Sequence, residues 1–273
     1  RQGDFPGVLE TWTAADQLAK SHTQKAISSG NLGIWYQHHK HWDEALVHHQ
    51  ASLENAELAS DTLRAARTLS NLGFMYLEQK DFTQAELYLQ NCLELAEANQ
   101  YLQLQSIALG NLGLLHYRKG DPDTAMHFYE KKWLLVDKID DKAELIKVLG
   151  NIGNIHRDKG QHREALEFYR KVLAIKERLG NPLELAITHS VIAEELKTLG
   201  DLSGALEQIS QAVSLAASQP KKLCEYLFYQ AEIYALLGEK PQAQTLCAQA
   251  KEIATACGRK SVVEACEGRL LLM

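Results

Sequence analysis

The chain has 273 residues, of which 45% are hydrophobic and 7% aromatic, with 29 Lys and Arg against 35 Asp and Glu for a net charge of −6. That composition supports a sizeable core and excludes a disordered, collagen-like or disulfide-stapled chain. The acidic balance disfavours a nucleic-acid partner, which needs clustered basic surface, and no apolar run approaches the ~18 residues of a membrane span, so no membrane insertion is expected.

In chain order, the first residues are Arg1-Gln2-Gly3-Asp4, with neither an initiator Met nor an apolar signal core, which reads as an excised piece of a longer protein. Asp4-Phe5-Pro6-Gly7-Val8 aligns with Asp81-Phe82-Thr83-Gln84-Ala85, so residues 4–20 are expected to be the second helix of a repeat. Self-similarity then dominates. Asn31-Leu32-Gly33, Asn71-Leu72-Gly73, Asn111-Leu112-Gly113 and Asn151-Ile152-Gly153 recur at a period of 40, and Val191-Ile192-Ala193 continues the register in weaker form. Twelve residues after each Gly or Ala stands an alanine, namely Ala45, Ala85, Ala125, Ala165 and Ala205, with Ala243 after a step of 38. Turn segments such as Lys80-Asp81-Phe82, Gly120-Asp121-Pro122 and Gly200-Asp201-Leu202 precede these alanines. Two helices per period follow.

Apolar residues such as Leu32, Tyr36, Ala45 and Leu46 fall at three-, four- and seven-residue spacings, the pattern of amphipathic helix. Pro6, Pro122, Pro182, Pro220 and Pro241 all stand where a helix is expected to start, the position that tolerates a missing N–H. An interior helical glycine costs about 1 kcal/mol against alanine. Gly33, Gly73, Gly113 and Gly153 are therefore expected to admit a close partner helix, opposite the small Ala45, Ala85, Ala125 and Ala165. The spacing gives repeats at about 22–59, 62–99, 102–139, 142–179, 182–218 and 220–257, then a terminal helix over 260–273. Each repeat buries its face only against neighbours, so the expected architecture is all-α and a single solenoid of antiparallel helix pairs over 1–273.

A small residue eight positions into the first helix, Tyr or His three later (Tyr36, Tyr76, His116, His156, Tyr234), a Gly-Asp-type turn and an alanine opening the second helix together resemble the tetratricopeptide repeat. The 40-residue period with Asn-Leu-Gly is similar to the long-repeat branch of the LGN/Pins adaptors and kinesin light chains. That resemblance covers nearly the whole chain and implies a right-handed superhelix that binds a protein or peptide partner along a concave face of first helices.

Along that face, Arg67, Asn71, Phe74 and Glu78 lie at i−4, i, i+3 and i+7, with equivalents Ile107, Asn111, Leu114 and Arg118, then Lys147, Asn151, Asn154 and Asp158. The resemblance implies that Asn31, Asn71, Asn111 and Asn151 bond the backbone of an extended peptide, since an amide donates and accepts at once. The alternative is that these asparagines cap or bridge neighbouring helices. The chaperone-tail binders of the family clamp a terminal carboxylate with Lys or Arg beside the glycines. Here those places hold Gly30, Ser70, Gly110, Gly150 and Ser190, then Ile34, Phe74, Leu114, Asn154 and Glu194, so an acidic C-terminal tail is not the expected ligand.

No phosphate loop, H-E-x-x-H, G-x-S-x-G or isolated carboxylate pair is present, and no enzymatic activity or cofactor is expected. Of 11 histidines, His22, His38, His39, His41, His48 and His49 crowd the first 50 residues, yet neighbouring His-His pairs on a helix diverge by ~100°, so solvated or packed imidazoles are expected over a metal site. The stripe of Tyr36, Tyr76, Tyr88, Tyr129, Tyr169 and Trp133 is expected to pack between helices. Cys92, Cys224, Cys247, Cys257 and Cys266 are odd in number and lack C-x-x-C spacing, which suits reduced thiols and a cytoplasmic location. The function expected is a protein–protein interaction module holding an extended or helical segment of a partner in its groove, or else a peptide-sensing or autoregulatory domain within a larger signalling ATPase, kinase or transcription regulator.

Overall fold

Helices of 17 residues alternate with three-residue links along most of the chain, and the chemistry of the links explains the regularity. From α2 to α11 one residue of each link turns left-handed: Lys40, Ser60, Lys80, Gln100 and Asp140 at φ between 54° and 63°, and Gly120, Gly160, Gly180 and Gly200 at larger positive φ. The next N–H then reaches back to the carbonyl five residues earlier, as Asp81 does to Tyr76 at 3.0 Å and Asp121 to His116 at 2.9 Å, which satisfies the last orphan carbonyls. That same residue opens the following helix. The carboxylates of Asp61, Asp81, Asp121 and Asp201 accept from the N–H three residues on, so one aspartate ends one helix and caps the next.

The computed structural model describes residues 6–272, and these form fourteen α-helices and no strand. Residues 4 and 5 of the expected half repeat and Met273 lie outside the described residues. The helices fall into two compact units, the first ending at Asp141 and the second beginning at Lys142. The first contains α1 (Pro6–Leu18), α2 (His22–His38), α3 (Trp42–Leu58), α4 (Thr62–Glu78), α5 (Phe82–Ala98), α6 (Leu102–Arg118) and α7 (Pro122–Lys138). Each packs on its successor, and α2, α4 and α6 also touch in series, so the first helices of the hairpins stand side by side. The second contains α8 (Lys142–Asp158), α9 (His162–Leu179), α10 (Pro182–Thr198), α11 (Leu202–Leu215), α12 (Pro220–Leu236), α13 (Lys240–Ala256) and α14 (Lys260–Leu272), again packed each on the next. None of the described helices is long and apolar enough to cross a membrane.

The core of the four hairpins from α2 to α9 is built on a glycine, though not as the sequence suggests. Ala45, Ala85, Ala125 and Ala165 are fully buried, but the glycines face the residue four positions further along the second helix. A Cβ placed on Gly33 would stand 2.6 Å from His49 Nδ1, on Gly73 2.6 Å from Leu89 Cγ, on Gly113 2.6 Å from Tyr129 Cε1 and on Gly153 2.7 Å from Tyr169 Cε1. The arrangement is a large side chain lying flat on a bare turn of helix. Small does not meet small. Near the turn a second contact recurs, because the ring three residues after the glycine stacks on the ring twelve beyond it: Tyr36 on His48, Tyr76 on Tyr88, His116 on Phe128 and His156 on Phe168, with centroids 5.3 to 5.5 Å apart and near-parallel planes.

His49 occupies the seat that leucine or tyrosine fills elsewhere, and it is fully buried. Its Nε2 lies 3.0 Å from Gln37 Oε1, while Nδ1 is buried without a partner. Burial, assisted by the nearby His48, lowers its pKa to about 4. The first unit therefore folds around a neutral imidazole. Because the folded pKa lies below the ordinary 6.5, stability is complete above pH 6.5 and is lost as pH falls towards 4.

Two predictions follow from these seats. Gly113→Ala should destabilise by about 1–3 kcal/mol through overpacking on Tyr129, although alanine is the better helix former, whereas Gly150→Ala, with nothing within 4 Å of the new Cβ, should stabilise by up to ~1 kcal/mol. Thermal melts of the two variants check this, and equal shifts would contradict it. For His49, the parent chain should lose about 2 kcal/mol between pH 7 and pH 5 that His49→Leu does not lose. All four tryptophans lie in the first unit, so denaturation followed by their fluorescence reads this unit alone.

Candidate functional site

The first unit places Asn31, Asn71 and Asn111 at one register on α2, α4 and α6, each half-buried. Among the described residues, none bonds to the side chain of any of the three, nor to that of Asn151 in the second unit. They do not cap or bridge helices. Phe74 is exposed and Leu114 half-buried on the same face. Arg67, exposed one turn before Asn71, reaches a depression of about 780 Å³ whose floor includes Ser70 and Asn71.

Aliphatic side chains wall this depression: Ile34 from α2, Leu63 from α4, and Leu102, Leu104 and Ile107 from α6. Ile34, Ile107 and Leu102 are 48%, 42% and 41% exposed, an unusual concentration of branched apolar surface on adjoining helices. The sequence register places Ile107 on this face and Ile34 at a position where a cation is lacking; it does not mark Leu63, Tyr101 or Leu102. The signal available was the apolar character itself at the position three after each asparagine, together with Leu63 two turns before Asn71.

Glu78 and Arg118, equivalent positions of successive repeats, are brought together and neutralise each other. Arg118 donates to Glu78 Oε1 at 3.1 Å and reaches the Leu77 carbonyl at 3.4 Å, which ties α6 to α4 at the end of the face. In the first unit the groups left for a ligand are thus the asparagine amides, Arg67 and the aliphatic wall.

The second unit uses the equivalent residues differently. Asn154 accepts from the Tyr169 hydroxyl at 2.7 Å, Lys147 pairs with Glu144 at 2.7 Å, and Asp158 lies 3.3 Å from Arg157. The almost fully buried Glu195 is held by His162 Nδ1 at 2.8 Å. Burial, foremost, raises the Tyr169 pKa, so its hydroxyl stays a donor to Asn154. Of the four residues expected here, Asn151 alone keeps an unengaged side chain.

The remaining chemistry-bearing residues are structural in their contacts. His39 stacks on Trp35 at 4.0 Å and bonds its carbonyl, and His48 stacks on Tyr36. Among the described residues no three His, Cys, Asp or Glu side chains are grouped to hold a metal ion. The five cysteines form no disulfide, and burial pushes the Cys92 thiol up to about 11 and the Cys266 thiol to about 12, so neither is a ready nucleophile.

Comparison with known proteins agrees with this architecture. A tetratricopeptide repeat family profile matches residues 64–131 and 144–218, more than half of the chain, and the protein belongs to that family, which is a repeat and not a catalytic family. No curated protein sequence matches the chain. Among solved structures, BtubC (BKLC) from P. vanneervenii is similar at 18% identity and a TM-score of 0.69, over 80% of this chain and 92% of that one. The apo form of the quorum sensor NprR from B. thuringiensis is similar at 16% identity and a TM-score of 0.67, over 96% and 82%. A signal transduction ATPase with a tetratricopeptide repeat sensor from Pyrococcus horikoshii gives 16% identity and a TM-score of 0.72, over 98% of this chain but only 44% of that one. At these identities the likeness is one of fold.

Proposed function

We propose that the first unit is a peptide-binding module whose trough lies along α2, α4 and α6. The observation that carries this reading is the row of half-buried asparagine amides without intramolecular partners, set beside an exposed aliphatic wall. An extended segment laid along the trough would receive N–H and C=O bonds from Asn31, Asn71 and Asn111 and bury its apolar side chains against Ile34, Leu63, Phe74 and Leu114. Backbone bonding gives affinity without fixing sequence, and the wall selects for apolar side chains. Asn151 offers the same chemistry in the second unit, while Lys147, Asn154 and Asp158 serve the internal pairs described above.

A second reading, that this array senses a peptide on behalf of a larger signalling protein, is favoured by the two similar structures named as sensors, one of which is more than twice as long as the span matched. Both readings make this repeat array a binder and not itself a catalyst. The five free thiols suit a reducing compartment, and we place the protein in the cytoplasm on that ground.

Displayed random peptides selected on the intact chain provide the test. The tightest of them should bind at least tenfold more weakly to the Asn31, Asn71 and Asn111 triple alanine variant, since an unpaired buried peptide group costs about 1–3 kcal/mol and ~1.4 kcal/mol is a factor of ten. Asn151→Ala should change little. Calorimetric titration measures both, with circular dichroism confirming unchanged helicity, and a folded triple variant that binds as tightly as the parent would overturn the reading.

A further inference from the structure

Charge on the first unit is segregated by helix. α2, α4 and α6 carry Lys25, Arg64, Arg67 and Arg118 against a single carboxylate, Glu78, whereas α3 and α5 behind them carry seven acidic residues and no Lys or Arg. The chain as a whole is acidic, so a basic trough is a local departure. Two of these cations are already occupied: Arg118 by Glu78 and Arg64 by Asp61, at 3.1 and 3.5 Å. Arg67 is not. Among the described residues no carboxylate pairs with it, and it stands in the depression with Ile34, Leu63 and Ile107.

A guanidinium beside aliphatic surface is only partly hydrated, and it matches a carboxylate with two parallel hydrogen bonds. We propose that the segment bound here is acidic and aliphatic: an internal Asp or Glu side chain pairs with Arg67 while a nearby Leu, Ile or Val side chain fills the space among Ile34, Leu63 and Ile107. This rests on the trough being a peptide site. The source of the carboxylate is a side chain and not a chain terminus, because Arg67 stands on α4, the middle of the three helices, and the segment continues past it over α2 and α6. The positions flanking the glycines on these helices, Gly30, Ser70, Gly110, Ile34, Phe74 and Leu114, supply no cation. One fork suffices for one side chain. The acidic α3 and α5 repel such a segment, so the charge pattern also steers it to the trough face, an effect that salt weakens.

The probe is a positional library of N-acetylated, C-amidated octapeptides, which carry no terminal charge, titrated against the intact chain, Arg67→Glu and the Asn71, Asn111 double alanine variant. The parent should select Asp or Glu close to Leu, Ile or Val, and exchanging that acid for its amide should weaken binding at least tenfold. Arg67→Glu, at unchanged helicity, should select Lys or Arg there instead. Asparagine-dependent binding without acid preference would overturn this inference and leave the trough standing, as would an acid preference that survives in Arg67→Glu. Binding restricted to members resynthesised with a free C-terminal carboxylate would overturn the side-chain source. Failure of every member to bind would overturn both the inference and the peptide site.

Discussion

In the four hairpins from α2 to α9, everything hangs on the seat between a glycine of the first helix and a large side chain of the second. With no Cβ on Gly73 or Gly113, Leu89 and Tyr129 lie against bare backbone, and the two helices approach closely enough to bury Ala85 and Ala125 completely. The seat fixes rotation as well as distance. Once Gly113 points at Tyr129, Asn111 and Leu114 must lie on the other side of α6, and the same holds for Asn71 and Phe74 on α4. The stacked rings near each turn, Tyr76 on Tyr88 and His116 on Phe128, hold the open end of the hairpin in the same orientation. The outward row of asparagine amides is thus a consequence of core packing on the opposite face.

The two units spend this common geometry differently. In the second, polar groups of the first helices bond to side chains of the second helix α9, as Asn154 does with Tyr169 and Glu195 with His162, which stiffens the face at the expense of its availability. In the first, Glu78 and Arg118 are paired at the edge while the amides, Arg67 and the aliphatic wall stay open. Exposed branched apolar residues on adjoining helices are costly to leave in water, and a bound segment would remove that cost.

Much of this was legible in the sequence because repetition exposes constraint. The Asn-Leu-Gly period gave the hairpins, the alanines twelve residues on gave the buried opening of the second helix, and the prolines marked helix starts. What sat on the glycines was only partly legible: Tyr129 and Tyr169 belong to a stripe expected between helices, but His49 and Leu89 share their position without their chemistry, so no pattern tied the four to the glycines, and the alanines looked like the natural partners. The occupied site residues were equally hidden. Whether Asn154 faces a ligand or the Tyr169 hydroxyl depends on a side chain 15 residues away, and periodicity says nothing of it. Leu63 and Leu102 escaped notice because each is an ordinary apolar residue in an apolar helix. Only their exposure, set by how neighbouring hairpins stack, marks them.

The most direct measurement is a nuclear magnetic resonance titration that follows the side-chain amide groups of Asn71 and Asn111 as the tightest selected peptide is added to isotope-labelled protein. If these amides hold a peptide backbone, their resonances shift saturably with the binding isotherm and their protons become protected from solvent exchange. Resonances that stay in place and exchange as freely as in the unbound protein, while the peptide is demonstrably bound, would contradict the account.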